Sequence, residues 1–168
     1  MMALAAADIA ELLGLQPHPT CGIVAESYRS SLQLPATALP AAYGGSRPLG
    51  NVLNFMVTPT ARVHLHRLRS DQMYHHYMGD PLEVLLLYAD GRSEVRTLGN
   101  DLALGIRPQL LLPGGTFHAA RVAPGGGYAL LATSVWLRAE PEDVELGDPV
   151  KLAAAFPTAR DLIAEFSR

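Results

Sequence analysis

Residues 63–79 read Val63-His64-Leu65-His66-Arg67-Leu68-Arg69-Ser70-Asp71-Gln72-Met73-Tyr74-His75-His76-Tyr77-Met78-Gly79, and four of the chain's six histidines lie among them. Alternate side chains of an extended strand share a face, so His64 and His66 are expected to point the same way, about 7 Å apart by the strand rise. After a turn at 67–71, Gln72, Tyr74 and His76 share one face, and Met73, His75 and Tyr77 the other. His118 stands on a later strand, just after the turn Pro113-Gly114-Gly115. Neutral imidazoles with some oxygen help suit a divalent Fe, Zn, Ni or Mn ion. The expectation is one metal site inside a β-barrel, with His64, His66, Gln72 and His118 as ligands and open positions for a substrate.

Composition limits the function classes. With 168 residues, 49% of them hydrophobic and 17% charged, the chain is expected to form one globular domain, 1–168, with a substantial core. A net charge of −3 argues against a nucleic-acid partner. Cys21 is the only cysteine, so no intrachain disulfide forms, which fits a reducing cytoplasm. The apolar runs are short and strand-like, and neither a secretory signal nor a membrane span is expected.

In chain order, residues 3–13 are strong helix formers, with Gly14 as the stop. Residues 21–30 alternate as a strand. Residues 35–48 hold Pro35, Pro40, Gly44, Gly45 and Pro48 and read as a loop that can act as a lid. Strands are then expected at 51–57, 62–67, 72–78, 82–88, 93–98, 107–112, 116–122 and 128–136. Turn chemistry separates them, as in Gly79-Asp80-Pro81 and Asp90-Gly91. A barrel over about 21–147 is followed by a helical tail at 149–167, its first helix starting at Asp148-Pro149 and its second capped by Thr158.

His-x-His, an acid or amide, a glycine, and then Pro113-Gly114-Gly115-Thr116-Phe117-His118 resemble the two metal-binding motifs of the cupin superfamily. Leu15-Gln16-Pro17-His18-Pro19, Glu26-Ser27-Tyr28-Arg29-Ser30, His66-Arg67-Leu68-Arg69-Ser70-Asp71, Gly79-Asp80-Pro81-Leu82-Glu83 and Gly127-Tyr128-Ala129-Leu130 are similar to the cupin 5 family. That family was long described as a domain of unknown function related in structure to sugar-nucleotide epimerases. The resemblance covers about 12–147. It implies an all-β, single-domain jelly-roll barrel with short N-terminal and C-terminal helices, a pocket in the barrel mouth, and a homodimer. The chain departs from the family pattern at five positions. His64 stands where members lack histidine, His118 where they carry glutamine, Gln72 where they carry glutamate, Ala25 where they carry arginine, and Cys21 where they carry glycine. The general cupin spacing selects Asp71 as the acidic ligand, whereas the interval back from Gly79 selects Gln72, so both stay open. Three imidazoles and an amide leave an ion's charge uncompensated, which favours anionic substrates and Lewis-acid chemistry.

Other polar residues complete the expected site. Tyr74 and His76 are the candidate proton carriers. Asn54 interrupts an apolar strand and either lines the pocket or pairs with a neighbouring backbone. Glu26 is either a carboxylate base or a partner of Arg29 or Arg47. Phe117 is a candidate substrate contact, although like Phe55 and Trp136 it also reads as barrel packing. His75 and His18 read as structural. The leading expectation is a metal-dependent enzyme acting on a small oxygenated metabolite, by isomerase, lyase, cyclase or dioxygenase chemistry. The alternatives are a metal-free keto-sugar epimerase with a histidine base and a tyrosine acid, or a non-catalytic small-molecule binder.

Overall fold

A computed structural model of the protein describes residues 4–168. It opens with α1 (Ala6–Leu12), followed by β1 (Gln16–Pro17), β2 (Ile23–Arg29), β3 (Gln33–Leu34), β4 (Arg47–Pro48), β5 (Asn51–Val57), β6 (Val63–Leu68) and β7 (Asp71–Gly79). Then come β8 (Leu82–Leu87), β9 (Ser93–Leu98), β10 (Gln109–Leu112), β11 (Phe117–Val122), β12 (Ala129–Trp136), β13 (Val144–Leu146), α2 (Pro149–Ala155) and α3 (Arg160–Phe166). The eight strands expected from 51 onward all form. The helix expected over 3–13 is shorter, and Ala3 lies outside the described residues. Asp148 caps α2, its carboxylate accepting from the Val150 and Lys151 amides. Thr158 is not the cap of α3. It sits inside a 3-10 turn, Pro157–Ala159, that leads into the helix. Among the described residues no helix is long and apolar enough to cross a membrane.

The strands form a six-stranded sheet, β1-β2-β5-β12-β7-β10, a five-stranded sheet, β13-β6-β11-β8-β9, and a separate ribbon of β3 and β4. Sequence neighbours such as β5, β6 and β7 are split between the sheets, and the two sheets enclose the core as a jelly roll. Phe55, Val57, Val63, Tyr74, Val84, Leu86, Leu112, Ala120 and Leu131 fill the interior. Full burial of each large side chain stabilises the fold by about 1.5–3 kcal/mol. Two further cores lie outside the barrel. Leu65, Leu85, Leu87, Phe117 and Ala119 pack beneath α2 and α3 through Leu152, Phe156, Ile163 and Phe166. Ile9 of α1 packs with Leu15, Met56 and Leu130 on the outer face of the six-stranded sheet.

One irregularity decides the register of the site. Between β6 and β11, His66 pairs with His118 and Val63 with Ala120. Two residues of β6, His64 and Leu65, therefore oppose the single Ala119, which is a β-bulge. Alternation breaks there. Val63 and His66 both face the interior, while Leu65 packs into the outer core with Ala119.

Candidate functional site

The interior is apolar toward one end and polar toward the other. The β6–β11 pairing sets His66 and His118 side by side, their ring centroids 4.2 Å apart. From the facing sheet, β7 supplies Gln72 and Tyr74 on its inward phase, and β12 supplies Thr133, which pairs with Tyr74. Tyr74 stacks at a tilt on Phe55, 5.0 Å between centroids, which seats its ring on the apolar floor. His118 is 0% exposed, Tyr74 1%, His66 2% and Gln72 4%.

Hydrogen bonds fix the tautomers, because a carbonyl can only accept. His66 Nδ1–H donates to the His64 carbonyl at 2.7 Å, and His118 Nδ1–H donates to the Thr116 carbonyl at 3.4 Å. Both Nε2 atoms therefore carry lone pairs. That of His118 accepts from the Tyr74 hydroxyl at 3.1 Å and lies 3.4 Å from the Gln72 amide nitrogen. That of His66 lies 3.8 Å from Cys21 Sγ, whose S–H donates. Thr133 Oγ1 donates to Gln72 Oε1 at 3.2 Å.

The cluster is uncharged at neutral pH. Burial lowers the His66 imidazole to about 4, against the opposing pull of the His64 carbonyl. Burial, and His66 beside it, push His118 well below the ordinary histidine value. Burial raises the Tyr74 phenol well above 10 and the Cys21 thiol to about 11. The site thus offers two neutral imidazoles, a protonated phenol and an amide.

Several expected members stand elsewhere. His64 does not share the face of His66, because the bulge intervenes, and it is exposed. Asp71 is committed to the Pro113-Gly114-Gly115 turn, accepting from the Gly114 amide at 2.7 Å. That approach needs glycine at 114, where a Cβ would strike the Arg69 carbonyl. Of the two residues left open for the oxygen ligand, Gln72 is the one directed at His118. His76 faces inward, but two residues beyond Tyr74, where its Nε2 bonds the Asp80 carbonyl at 3.0 Å and its Nδ1 is buried without a partner. His75 is on the outer face, bonded to Ser134 and Gln109. Asn54 is also on the outer face, in the phase of Met56 rather than that of Phe55 and Val57. Phe117 belongs to the outer core, with the Arg67 guanidinium 4.5 Å over its ring.

Glu26 does occupy the inward phase of β2, yet its carboxylate is held by Arg29 at 2.9 Å, Arg138 at 3.1 Å and Asn51 Nδ2 at 2.9 Å. Its partial burial acts to raise its pKa, but these bonds hold it below the usual carboxylate value. Sequence reading missed Thr133, Asn51 and Cys21 as site neighbours. Their signal was phase. Asn51 precedes Leu53, Phe55 and Val57 in the inward alternation of β5, and Thr133 stands between Leu131 and Val135 on β12.

The fold raises the question of a metal ion. The cluster supplies two imidazole Nε2 atoms, one amide and, 3.8 Å from His66 Nε2, a thiol that burial keeps protonated. The nearby carboxylates are engaged by a backbone amide and by arginines, and the third histidine faces away. Among the described residues no three His, Cys, Asp or Glu side chains converge on one point. The donor set does not fit a complete metal shell.

Residues 31–49 reach the β6–β7 turn at the polar end of the barrel. They leave the six-stranded sheet at the end of β2 and rejoin it at β5, as two 3-10 turns and the β3–β4 ribbon. On the far lip the Tyr43 hydroxyl meets Ser70 Oγ at 3.1 Å, and buried Arg47 donates to buried Asp143 at 2.9 Å. Arg69 adds a contact to the same carboxylate at 3.2 Å. These contacts fasten residues 31–49 as a strap at the polar end of the barrel.

A hypothetical protein from Leishmania major is 25% identical with a TM-score of 0.87, over 98% of this chain and 99% of that one. A protein from Shewanella oneidensis is 28% identical with a TM-score of 0.85, over 99% of each. Oxalate decarboxylase from Bacillus subtilis shares the fold at 14% identity and a TM-score of 0.51, over 89% of this chain and 36% of that one. A comparison with curated proteins finds no match. The family model described as "Cupin superfamily (DUF985)" matches residues 7–146, and the chain belongs to that family.

Proposed function

We propose that the protein binds a small oxygenated molecule beneath the strap and moves a proton on it without a metal ion. The observation that carries this reading is the Tyr74 hydroxyl 3.1 Å from His118 Nε2, both buried and both uncharged. Such a pair can enolise a carbonyl compound. The phenol donates to the carbonyl oxygen while an imidazole takes the proton from the adjacent carbon. His66 Nε2, facing only a thiol, is the freer base. Lowered to about 4, it has the strength of a carboxylate. That suffices when the oxygen is hydrogen-bonded at the same moment. Isomerisation or epimerisation next to a carbonyl is the reaction class.

Incubation of chelator-treated protein with keto-sugars in deuterium oxide tests this. Deuterium is expected at the carbon beside the carbonyl, and Tyr74→Phe or His118→Gln is expected to slow its entry by about 10²-fold or more. Exchange that stops on chelation and returns with added metal sinks the reading.

A second reading has one observation in its favour. Both Nδ1–H groups are pinned by backbone carbonyls, the arrangement that orients metal-bound histidines. Metal analysis of protein purified without added ions decides it. Stoichiometric metal that disappears in His66→Ala establishes this second reading.

A further inference from the structure

The hydrogen-bond directions around His118 run one way. The Thr116 carbonyl must accept, so His118 Nδ1 carries the proton and Nε2 presents one lone pair. The Gln72 atom facing that lone pair must then be the NH2 group, and Gln72 Oε1 must face Thr133, whose hydroxyl donates to it. At His118 Nε2 the donors outnumber the acceptors. The Tyr74 O–H and the Gln72 N–H both point at a single lone pair, 3.1 and 3.4 Å away. One of them is left over in a place closed to water, which is costly unless a ligand accepts it. On the other side the His66 lone pair meets only a weak S–H donor, 3.8 Å off.

From this imbalance, and resting on the proton-transfer reading above, we infer that the ligand is a carbonyl compound whose acceptor oxygen is held by Gln72 and Tyr74, with Thr133 as a positioning residue. Thr133 never touches the ligand. The His118 lone pair sets which end of the amide faces inward, and the Thr133 hydroxyl, donating to Gln72 Oε1, holds the amide in that orientation. A group that brings only donors, such as an ammonium, meets the donors of Gln72 and Tyr74 and finds only the His66 lone pair to accept from it. The Gln72 amide is therefore the specificity element of the pocket. A carboxylate in its place reverses the preference, because it only accepts, and with two neutral imidazoles beside it favours a cation.

The test uses the full chain with pyruvate, methylammonium and zinc chloride as probes, and follows binding through the side-chain nitrogen resonances of His66 and His118. Wild-type protein is expected to bind pyruvate and not methylammonium. Thr133→Val is expected to weaken pyruvate at least tenfold, and Thr133→Ser to restore it, which a general packing role does not predict. Gln72→Glu is expected to lose pyruvate and to gain zinc at both histidines. Thermal melts of each variant confirm folding, and Thr133→Ser stays informative if Thr133→Val unfolds. Absence of pyruvate binding in the wild type, or equal binding in Thr133→Val and Gln72→Glu, overturns the inference. Stoichiometric zinc on the wild-type histidines instead overturns the proton-transfer reading on which it rests.

Discussion

His64 and His66 are two residues apart, yet only one of them enters the barrel. The difference is the extra residue that β6 places opposite Ala119. Their substitutions should separate cleanly. His64→Ala removes an exposed side chain and is expected to change stability by no more than about 0.5 kcal/mol, with no effect on deuterium exchange. His66→Ala is expected to abolish exchange, and to cost on the order of 1–3 kcal/mol for the cavity and the bonds lost. Urea titration and the isotope assay read the two quantities independently. The bulge also marks where the sequence ceased to be legible. Strict alternation placed His64 inside together with His66, because an inserted residue leaves no trace in a run of alternating apolar and polar side chains. The phase of β7 was legible, since Gln72, Tyr74 and His76 do share a face. The closing of Asp80 on His76 and of Asp71 on Gly114 was not, because each depends on a turn whose backbone only tertiary contact determines.

At the scale of elements, the strands were readable from their turns, and the strap was readable only as a loop. Nothing in Pro35 to Pro48 announces that Arg47 will be buried, because its partner, Asp143, is 96 residues away. That pair carries most of the strap's attachment to the far lip. Arg47→Ala leaves Asp143 buried beside only the half-exposed Arg69, and is expected to cost about 3–5 kcal/mol, measurable by chemical denaturation. Tyr43→Phe removes the lighter contact to Ser70. Its expected cost is only about 1 kcal/mol. Because it loosens the cover of the site, His118 is expected to react faster with diethyl pyrocarbonate, as followed by peptide mass spectrometry. An unchanged modification rate in Tyr43→Phe removes Tyr43 from any part in access.

At the scale of the whole molecule, the buried imidazoles tie stability to pH. The folded pKa of His66 is depressed from 6.5 to about 4, so between those values the unfolded chain takes up the proton more readily than the folded one. Its contribution is present above about pH 6.5 and lost as pH falls toward 4, on the order of 3 kcal/mol from this one group. His118 is also held well below the ordinary histidine value by burial and acts in the same direction. Burial acts to raise the Asp143 carboxyl, but the hydrogen bond from Arg47 outweighs it and holds the pKa below 3.8, so a further loss is expected below that value. Melting temperatures measured from pH 7.5 to 4 should fall monotonically, and His118→Gln should flatten the upper part of that slope. The strap's ion pair has one more consequence, for the order of assembly. Residues 47 and 143 bracket β5 to β12 and, with them, His66, Gln72, Tyr74, His118 and Thr133, so their pairing closes a loop that contains most strands of both sheets. Closing so long a segment costs less entropy once local hairpins have shortened it. Acquisition of the site is therefore a late event in folding. A refolding chain should regain strand signal first and the sequestration of His118 last, as the cover seats.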